Sequence, residues 1–276
     1  MRFLLSVLLV IEFSISVTAQ WENKWFPSEL NIQPFASNLY EPRAGFMFAL
    51  SEKKLRLDIG TSKDFLHSKS KHTTFSFGGD LFTYTRLRSE GSFKFPVETI
   101  DYFFGLNCAY KIHLNKEEIA LRLRISHIST HLVDGSIDNS NGIWKNGREP
   151  FVYSREFIEV APYYLVSRLR IYTIITYNFH VIPEIINKGM FQLGFDYYFL
   201  EKGRRMIHPF IAYDFKLTGI DGVYSGTSIA KAGIRFGYPL LNGLSVLVSY
   251  ISGKSIHGMY FDSAEKYFNF GFNLEI

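Results

Sequence analysis

The chain has 276 residues, of which 47% are hydrophobic, 17% aromatic and 20% charged, with a formal net charge of +4. Disordered chains combine low hydrophobicity with high net charge, and this composition excludes them. The single cysteine, Cys108, excludes a disulfide scaffold. The positive charge is mild and spread along the chain, so no nucleic-acid partner is expected.

The first 19 residues have the pattern of a secretory signal peptide. Arg2 supplies a positive start, residues 3–11 form an apolar stretch, and residues 17–19 offer small side chains at a cleavage site. After residue 20, no uncharged apolar run approaches the roughly 18 residues that a membrane-spanning helix needs. The chain is therefore expected to be exported, and any membrane span must come from strands.

Apolar and polar residues alternate along most of the chain beyond about residue 40. In the last segment, Phe268, Phe270, Phe272, Leu274 and Ile276 share one face, whereas Tyr267, Asn269, Gly271, Asn273 and Glu275 share the other. A period of two is the signature of a β-strand, because successive side chains point to opposite faces. The pattern predicts twelve strands, at about 43–50, 54–60, 74–88, 98–112, 117–130, 152–165, 168–180, 189–201, 206–217, 227–238, 243–253 and 267–276.

The connections alternate in length as well. Short turns are predicted near 113–116, 166–167, 202–205 and 239–242, and longer loops near 89–97, 131–151, 181–188, 218–226 and 254–266. The first hairpin breaks this rule, with a tight turn at 51–53 followed by a long connection at 61–73. An even number of strands with short turns at one end and long loops at the other is typical of a bacterial outer-membrane barrel.

Two soluble folds, a lipocalin-like barrel and a β-sandwich, would also show alternating apolar and polar residues. Both would normally expose a face rich in Lys and Glu, whereas here the apolar face is rich in Phe and Tyr, which suits lipid. The fold class predicted is all-β: a transmembrane antiparallel up-and-down β-barrel of about twelve strands, integral to the outer membrane. Its expected partners are outer-membrane lipid, lipopolysaccharide and the barrel assembly machinery, and the sequence does not indicate the oligomeric state.

The predicted barrel covers residues 43–276, and residues 20–42 are interpreted as an N-terminal periplasmic arm. Trp21, Trp25 and Phe26 lie in this arm. The sequence leaves open whether these three aromatic residues plug the lumen or rest at the inner membrane interface.

Strand parity predicts a charged lumen. Its lining residues are expected to include Arg122, Arg124, Arg155, Glu159, Arg168, Arg170, Asp196, Asp214, Lys231 and Arg235. Mixed signs and many arginines favour a lumen plugged by paired charges, because an isolated buried charge is costly. The alternative is a narrow pore with an arginine-lined path that favours anions.

Four segments resemble the outer-membrane family catalogued as domain of unknown function 1207. They are Glu41-Pro42-Arg43, the stretch 124–134, Tyr153-Ser154-Arg155-Glu156 and the stretch 253–260, in which Ile256 and Met259 stand where proline and glutamine are usual. The resemblance implies an outer-membrane barrel and no established activity.

One constellation points to chemistry. His127 and Ser129 continue the outward face of strand 117–130, and antiparallel pairing would bring Glu156 of the next strand beside His127. A serine nucleophile, a histidine base and a third residue that orients the histidine are what acyl transfer requires. The arrangement resembles outer-membrane phospholipase A and the lipid A deacylase, which pair His-x-Ser on one barrel strand with a residue of a neighbouring strand.

The sequence therefore supports two functional hypotheses. The first is a barrel with a structural role or one in small-solute passage, in which the polar cluster merely caps a strand end at the membrane interface. The second is a lipid acyl hydrolase with Ser129, His127 and Glu156 as its site. No cofactor is predicted, except that the phospholipase resemblance implies calcium, which Asp134 would help to hold. His127 and His131 lack a third ligand, so no other metal site is predicted.

Overall fold

A computed structural model describes residues 21–138, 140–199 and 206–275. The predicted signal peptide lies outside these ranges. The strands, in chain order, are β1 (Glu22–Trp25), β2 (Ala44–Ala49), β3 (Lys54–Lys69), β4 (Thr73–Arg88), β5 (Val97–Leu114), β6 (Glu117–Leu132), β7 (Ile137–Asp138), β8 (Ile143–Trp144), β9 (Tyr153–Val166), β10 (Leu169–Ile182), β11 (Gly189–Tyr198), β12 (Ile207–Ile220), β13 (Val223–Phe236), β14 (Gly243–Lys254) and β15 (Ala264–Glu275).

Twelve of these strands close into one antiparallel barrel, which confirms the predicted fold class. Apart from β7 and β8, each strand from β2 onward pairs with the next along the chain, and β15 pairs with β2 to close the ring. Closure satisfies the backbone hydrogen bonds of every wall strand without an open edge, as a bilayer requires. The remaining three strands lie outside the ring: β1 pairs with the end of β3, and β7 and β8 form a small hairpin in the loop after β6.

The two faces of each strand separate apolar from charged residues, as the alternation predicts. On β6, Ile119 and Leu121 are 46% and 41% exposed, whereas the intervening Arg122 is 4% exposed. Outside a barrel of this kind the exposed apolar side chains meet lipid, and the charged residues turn inward.

The predicted connections at 61–73 and 218–226 are wrong. Strand β3 continues to Lys69 and only residues 70–72 form the turn to β4, whereas β12 and β13 are joined by the two-residue turn Asp221–Gly222. Thr61 and Lys63 occupy positions where a lipid-facing strand would carry apolar residues, so the alternation fades there. Pairing with β4 keeps the segment extended. The short turn at 70–72 replaces the predicted long connection at 61–73, which was one of the two exceptions to the alternation of short turns and long loops.

Residues 27–43, called here the plug, run through the interior of the barrel. The Nζ of Lys111 donates to the Asn31 carbonyl at 2.7 Å, and the Nζ of Lys231 donates to the Ala36 carbonyl at 2.7 Å. A guanidinium nitrogen of Arg170 donates to the Gln33 carbonyl at 2.9 Å. These donors come from β5, β13 and β10, on different sides of the wall, so the interpretation of this part of the chain as a periplasmic arm is wrong.

Phe35 is the centre of the plug and is completely buried. Its ring stacks on Tyr172 of β10 with 4.0 Å between centroids and 17° between planes. The guanidinium carbons of Arg122 and Arg170 lie 4.9 Å and 4.7 Å from the same ring. Aromatic stacking and cation–π contacts therefore hold the plug against strands β6 and β10 of the wall.

Trp21, Trp25 and Phe26 do not plug the lumen. They are 45%, 68% and 66% exposed. Trp25 pairs with Leu66, at the end of β3 where β1 joins the sheet. Pro27 is buried, Ser28 and Glu29 are exposed, and sustained burial begins at Asn31.

The other end of the barrel is covered by the loop of residues 255–263 between β14 and β15. Met259 is completely buried, and the Gly258 amide donates to a carboxylate oxygen of Asp101 at 2.8 Å. A Cβ on Gly258 would lie 2.4 Å from the Thr130 hydroxyl, so only glycine fits this close approach. The loop thus folds into the barrel mouth.

Replacing Phe35 by alanine is expected to lower the free energy of unfolding by about 3–5 kcal/mol, because it removes a buried ring and leaves a cavity. Phe26→Ala is the matched control, since Phe26 lies on the same segment but is mostly exposed, and its expected effect is below about 1 kcal/mol. Urea unfolding in detergent, followed by tryptophan fluorescence, measures both values. Equal effects of the two changes would contradict the packing described for the plug.

Candidate functional site on the barrel exterior

His127 and Glu156 lie opposite each other on the neighbouring strands β6 and β9. The Nδ1 of His127 and the Oε1 of Glu156 are 2.5 Å apart. An ionised carboxylate only accepts hydrogen bonds, so Nδ1 carries a proton, and in the neutral form of the imidazole Nε2 then presents its lone pair. This is the histidine tautomer that can take a proton from a hydroxyl group.

Ser129 lies on the same face of β6, two residues beyond His127. Its cross-strand partner on β9 is Ser154, whose hydroxyl donates to the Oε1 of Glu156 at 2.7 Å. The Ser129 hydroxyl has no hydrogen-bond partner within the part of the chain that the structure describes. The structure thus brings the three predicted residues onto one face, with the histidine and the carboxylate hydrogen-bonded and the serine two residues further along β6 without a hydrogen bond to either.

His180 of β10 is a fourth member of the cluster that the sequence analysis missed. Its Nδ1 hydrogen-bonds to the Oε2 of Glu156, the oxygen that His127 does not use. Strict alternation along β10 would turn His180 inward. A β-bulge at Phe179 shifts the register by one residue, so Phe179 and His180 are both exposed.

The cluster sits at the outer edge of the apolar band of the barrel. Below His127 on β6, the outward residues Ile119, Leu121, Leu123 and Ile125 are 40% to 52% exposed. Eight residues of a strand tilted by about 40° span a height of ~20 Å, close to the ~25 Å of a typical apolar band. The polar residues that follow therefore meet the level at which lipid acyl chains join their headgroups.

The structure places nine of the ten predicted lumen residues inside the barrel, each at most 6% exposed: Arg122, Arg124, Arg155, Glu159, Arg170, Asp196, Asp214, Lys231 and Arg235. Arg168 is the exception. It lies half-buried in the two-residue turn between β9 and β10, because β10 begins only at Leu169.

Glu41 of the plug holds the centre of the interior charge network. Its two carboxylate oxygens accept hydrogen bonds from Arg122 at 2.9 Å and 2.6 Å, and Arg124 lies 3.3 Å away. Burial opposes ionisation of Glu41, but these arginines outweigh it and hold the pKa of its carboxyl below the usual range. Arg124 also pairs with Asp80 at 2.9 Å and with Glu159 at 3.2 Å. Three carboxylates and two arginines are therefore joined in one buried network of ion pairs.

Asp134 is the residue that the phospholipase resemblance offers as a calcium ligand. An Oδ1 of Asp134 accepts a hydrogen bond from the Gly135 amide. No group of three or more His, Cys, Asp or Glu residues that could hold a metal ion occurs among the residues that the structure describes. Calcium takes six to eight oxygen ligands, so a calcium site at Asp134 stays a prediction.

The described ranges contain no helix that is long and apolar enough to span a membrane. No protein-family model matches the chain, and no curated protein matches its sequence. The resemblance to domain of unknown function 1207 therefore stays a prediction.

Solved structures with a similar fold are outer-membrane proteins. Outer membrane phospholipase A from Escherichia coli matches with a TM-score of 0.50 and 11% identity, over 88% of this chain and 93% of that chain. The β domain of the Bordetella autotransporter BrkA has a TM-score of 0.43 and 13% identity, over 86% and 100% of the two chains. OmpT of Vibrio cholerae has a TM-score of 0.31 and 9% identity, over 86% and 99%. At 11% identity, the likeness to the phospholipase concerns the fold alone.

The closed twelve-stranded wall, its apolar exterior and its charged interior define an integral outer-membrane β-barrel. Within that class, this chain is distinguished by an internal plug and by a hydrogen-bonded histidine–carboxylate cluster on the lipid side.

Replacing Glu41 by alanine is expected to lower the free energy of unfolding by about 3–5 kcal/mol, because Arg122 and Arg124 keep their buried charge without its partner. Glu29→Ala is the control, since Glu29 is an exposed residue of the same segment.

In planar bilayers, the unaltered protein is expected to carry no steady current, and Glu41→Ala is expected to show more frequent channel openings. A steady open channel in the unaltered protein would contradict a lumen filled by the plug.

Proposed function

We propose that this protein is an outer-membrane lipid acyl hydrolase whose site lies on the outside of the barrel. Ser129 is the nucleophile, His127 the general base and Glu156 the residue that orients the histidine. The observation that carries the proposal is the 2.5 Å contact between His127 and Glu156 on the outward face of two paired strands.

The residues fit acyl ester hydrolysis step by step. The Oγ of Ser129 attacks the ester carbonyl carbon while the Nε2 of His127 takes the hydroxyl proton. The histidine then returns that proton to the leaving alcohol oxygen, and the acyl group stays on the serine. Water, deprotonated by the same histidine, releases the fatty acid and restores the serine. Throughout, Glu156 holds the imidazole and stabilises its positive form.

The location of the site supports lipid as the substrate. The cluster lies at the boundary between the apolar band and the polar headgroup region, where the ester bonds of membrane lipids also lie. A lipid of the outer leaflet can present an acyl ester to Ser129 while its chains remain against the apolar residues below. Phospholipid and lipopolysaccharide share this acyl ester chemistry.

The second candidate is a barrel without catalysis. The paired interior charges and the buried Phe35 and Met259 favour a structural role, and the filled interior weighs against passage of small solutes. In this case the exterior cluster would only solvate a strand end at the membrane interface. However, such a role does not require the specific pairing of a carboxylate with the Nδ1 atom of a histidine.

The test is fatty-acid release by the refolded protein in mixed micelles, with phospholipid and lipopolysaccharide in separate reactions, each with and without calcium. Ser129→Ala is expected to lower kcat by about 10³-fold or more, because the nucleophile is lost. Ser154→Ala is the matched comparison on the facing strand, and removing its hydrogen bond to Glu156 is expected to cost less than about tenfold.

The two substrate arms distinguish which lipid class is cleaved. The heat-dependent shift of folded barrels on detergent gels verifies that each variant is folded. No fatty-acid release by folded protein would overturn the proposal. Release that survives in Ser129→Ala but not in Ser154→Ala would contradict the assignment of the nucleophile.

A further inference from the structure

We infer that His180 is a positioning residue of the exterior site, which anchors Glu156 so that the carboxylate can hold His127. This inference rests on the proposed acyl hydrolase function. It adds a residue from a third strand, β10, to the three on β6 and β9.

The two carboxylate oxygens of Glu156 accept hydrogen bonds from the two neighbouring strands. Its Oε1 accepts from His127 on one neighbouring strand and from Ser154, whereas its Oε2 accepts from His180 on the other. The three strands place His127, Glu156 and His180 in one row across the outer surface, because Glu156 is the register partner of both histidines.

Glu156 needs such an anchor because of where it lies. Its side chain is 26% exposed at the membrane boundary, and a glutamate has three rotatable bonds with which to leave the histidine for water or headgroups. The hydrogen bond from His180 fixes the oxygen that His127 leaves unused. With both oxygens held, the carboxylate plane stays directed at the Nδ1 of His127 and preserves its tautomer.

The bulge at Phe179 supports the inference independently of the hydrogen bonds. It interrupts the pairing of β10 with β9, with Asn178 opposite Phe157 and His180 opposite Glu156, so the register gains one residue between them. Under strict alternation from the inward-facing Asn178, His180 would face the interior and Val181 the lipid. A bulge adds a residue and bends the strand locally, and such bulges recur beside active sites, where they redirect a side chain. Here the redirected side chain is the one that reaches Glu156.

The Nδ1–H of His180 is the donor in this arrangement, because the carboxylate only accepts. The side-chain amide of asparagine places an N–H close to the position of that Nδ1 atom. Asparagine at position 180 should therefore restore the anchor, whereas alanine should remove it. The Nε2 atom of His180 is not required, so His180 has no expected role in proton transfer.

The experiment compares His180→Ala, His180→Asn and His131→Ala in the same fatty-acid release assay, on whichever lipid the unaltered protein cleaves. His131 is an exposed histidine four residues beyond His127 on β6, and its ring contacts Tyr102 rather than Glu156. We expect His180→Ala to lower kcat about tenfold with KM unchanged, which is the cost of one hydrogen bond to a charged group. His180→Asn should recover activity to within about threefold of the unaltered protein, and His131→Ala should leave it unaltered.

Labelling of Ser129 by a fluorophosphonate probe supplies a second readout, because it reports activation of the serine without lipid binding. The labelling rate should follow kcat across the variants. Ser129-dependent hydrolysis that persists within twofold in His180→Ala would overturn the inference and leave the proposed function in place. Equal losses in His180→Ala and His180→Asn would also overturn it. Absence of both hydrolysis and labelling in folded, unaltered protein would overturn the proposed function and the inference with it.

Discussion

The absence of water from the bilayer core is the constraint from which the rest of this structure follows. Every backbone amide and carbonyl of the wall must find its partner within the sheet, and only a closed ring of strands achieves this for β structure. Closure gives each strand one face toward lipid and one toward the interior. The sorting of Ile119 and Leu121 outward and of Arg122 and Arg124 inward is the direct result.

Because the outer face is otherwise apolar, the polar residues on it need a physical explanation. A charged or imidazole side chain facing the apolar band is costly, so such residues are expected near its edges. His127, Glu156 and His180 lie at one edge, and they hydrogen-bond to one another through a single carboxylate. Interface solvation alone would be satisfied by scattered polar groups. The convergence of two histidines on Glu156, with one of them redirected by a bulge, is a more specific arrangement than solvation needs.

Much of the wall could be predicted from the sequence, because the bilayer requires apolar side chains on the outer face and the strand period of two makes that requirement visible as alternation. The prediction failed where a segment has no apolar outer face or no regular period. The second half of β3 carries Thr61 and Lys63 on its outer side, so its extended conformation depends on pairing with β4, which the sequence does not display. The plug has no regular backbone structure and therefore no period. Its position depends on Phe35 and Glu41 meeting wall residues far along the chain.

The candidate site shows the same limit at the scale of one residue. His127, Ser129 and Glu156 could be predicted together because parity on β6 and β9 is regular up to the membrane boundary. Parity counted along β10 assigns His180 to the interior, and a single inserted residue at Phe179 reverses that assignment. The sequence contains no glycine or proline at this point to mark the bulge.

The interior and the exterior of the barrel also differ in how their charges are used. Inside, each carboxylate of the Glu41 network is matched by arginines, burial is nearly complete, and the arrangement serves to hold the plug against the wall. Outside, Glu156 is bonded to two imidazoles and a hydroxyl group, remains partly exposed, and stands beside a serine with no partner among the described residues. Charges that compensate one another fully stabilise a fold, whereas a carboxylate that holds a neutral base in one tautomer leaves a lone pair for use. The physical chemistry of the two clusters therefore assigns the stabilising interactions to the lumen, whereas the exterior cluster has the features on which the proposed hydrolase function rests.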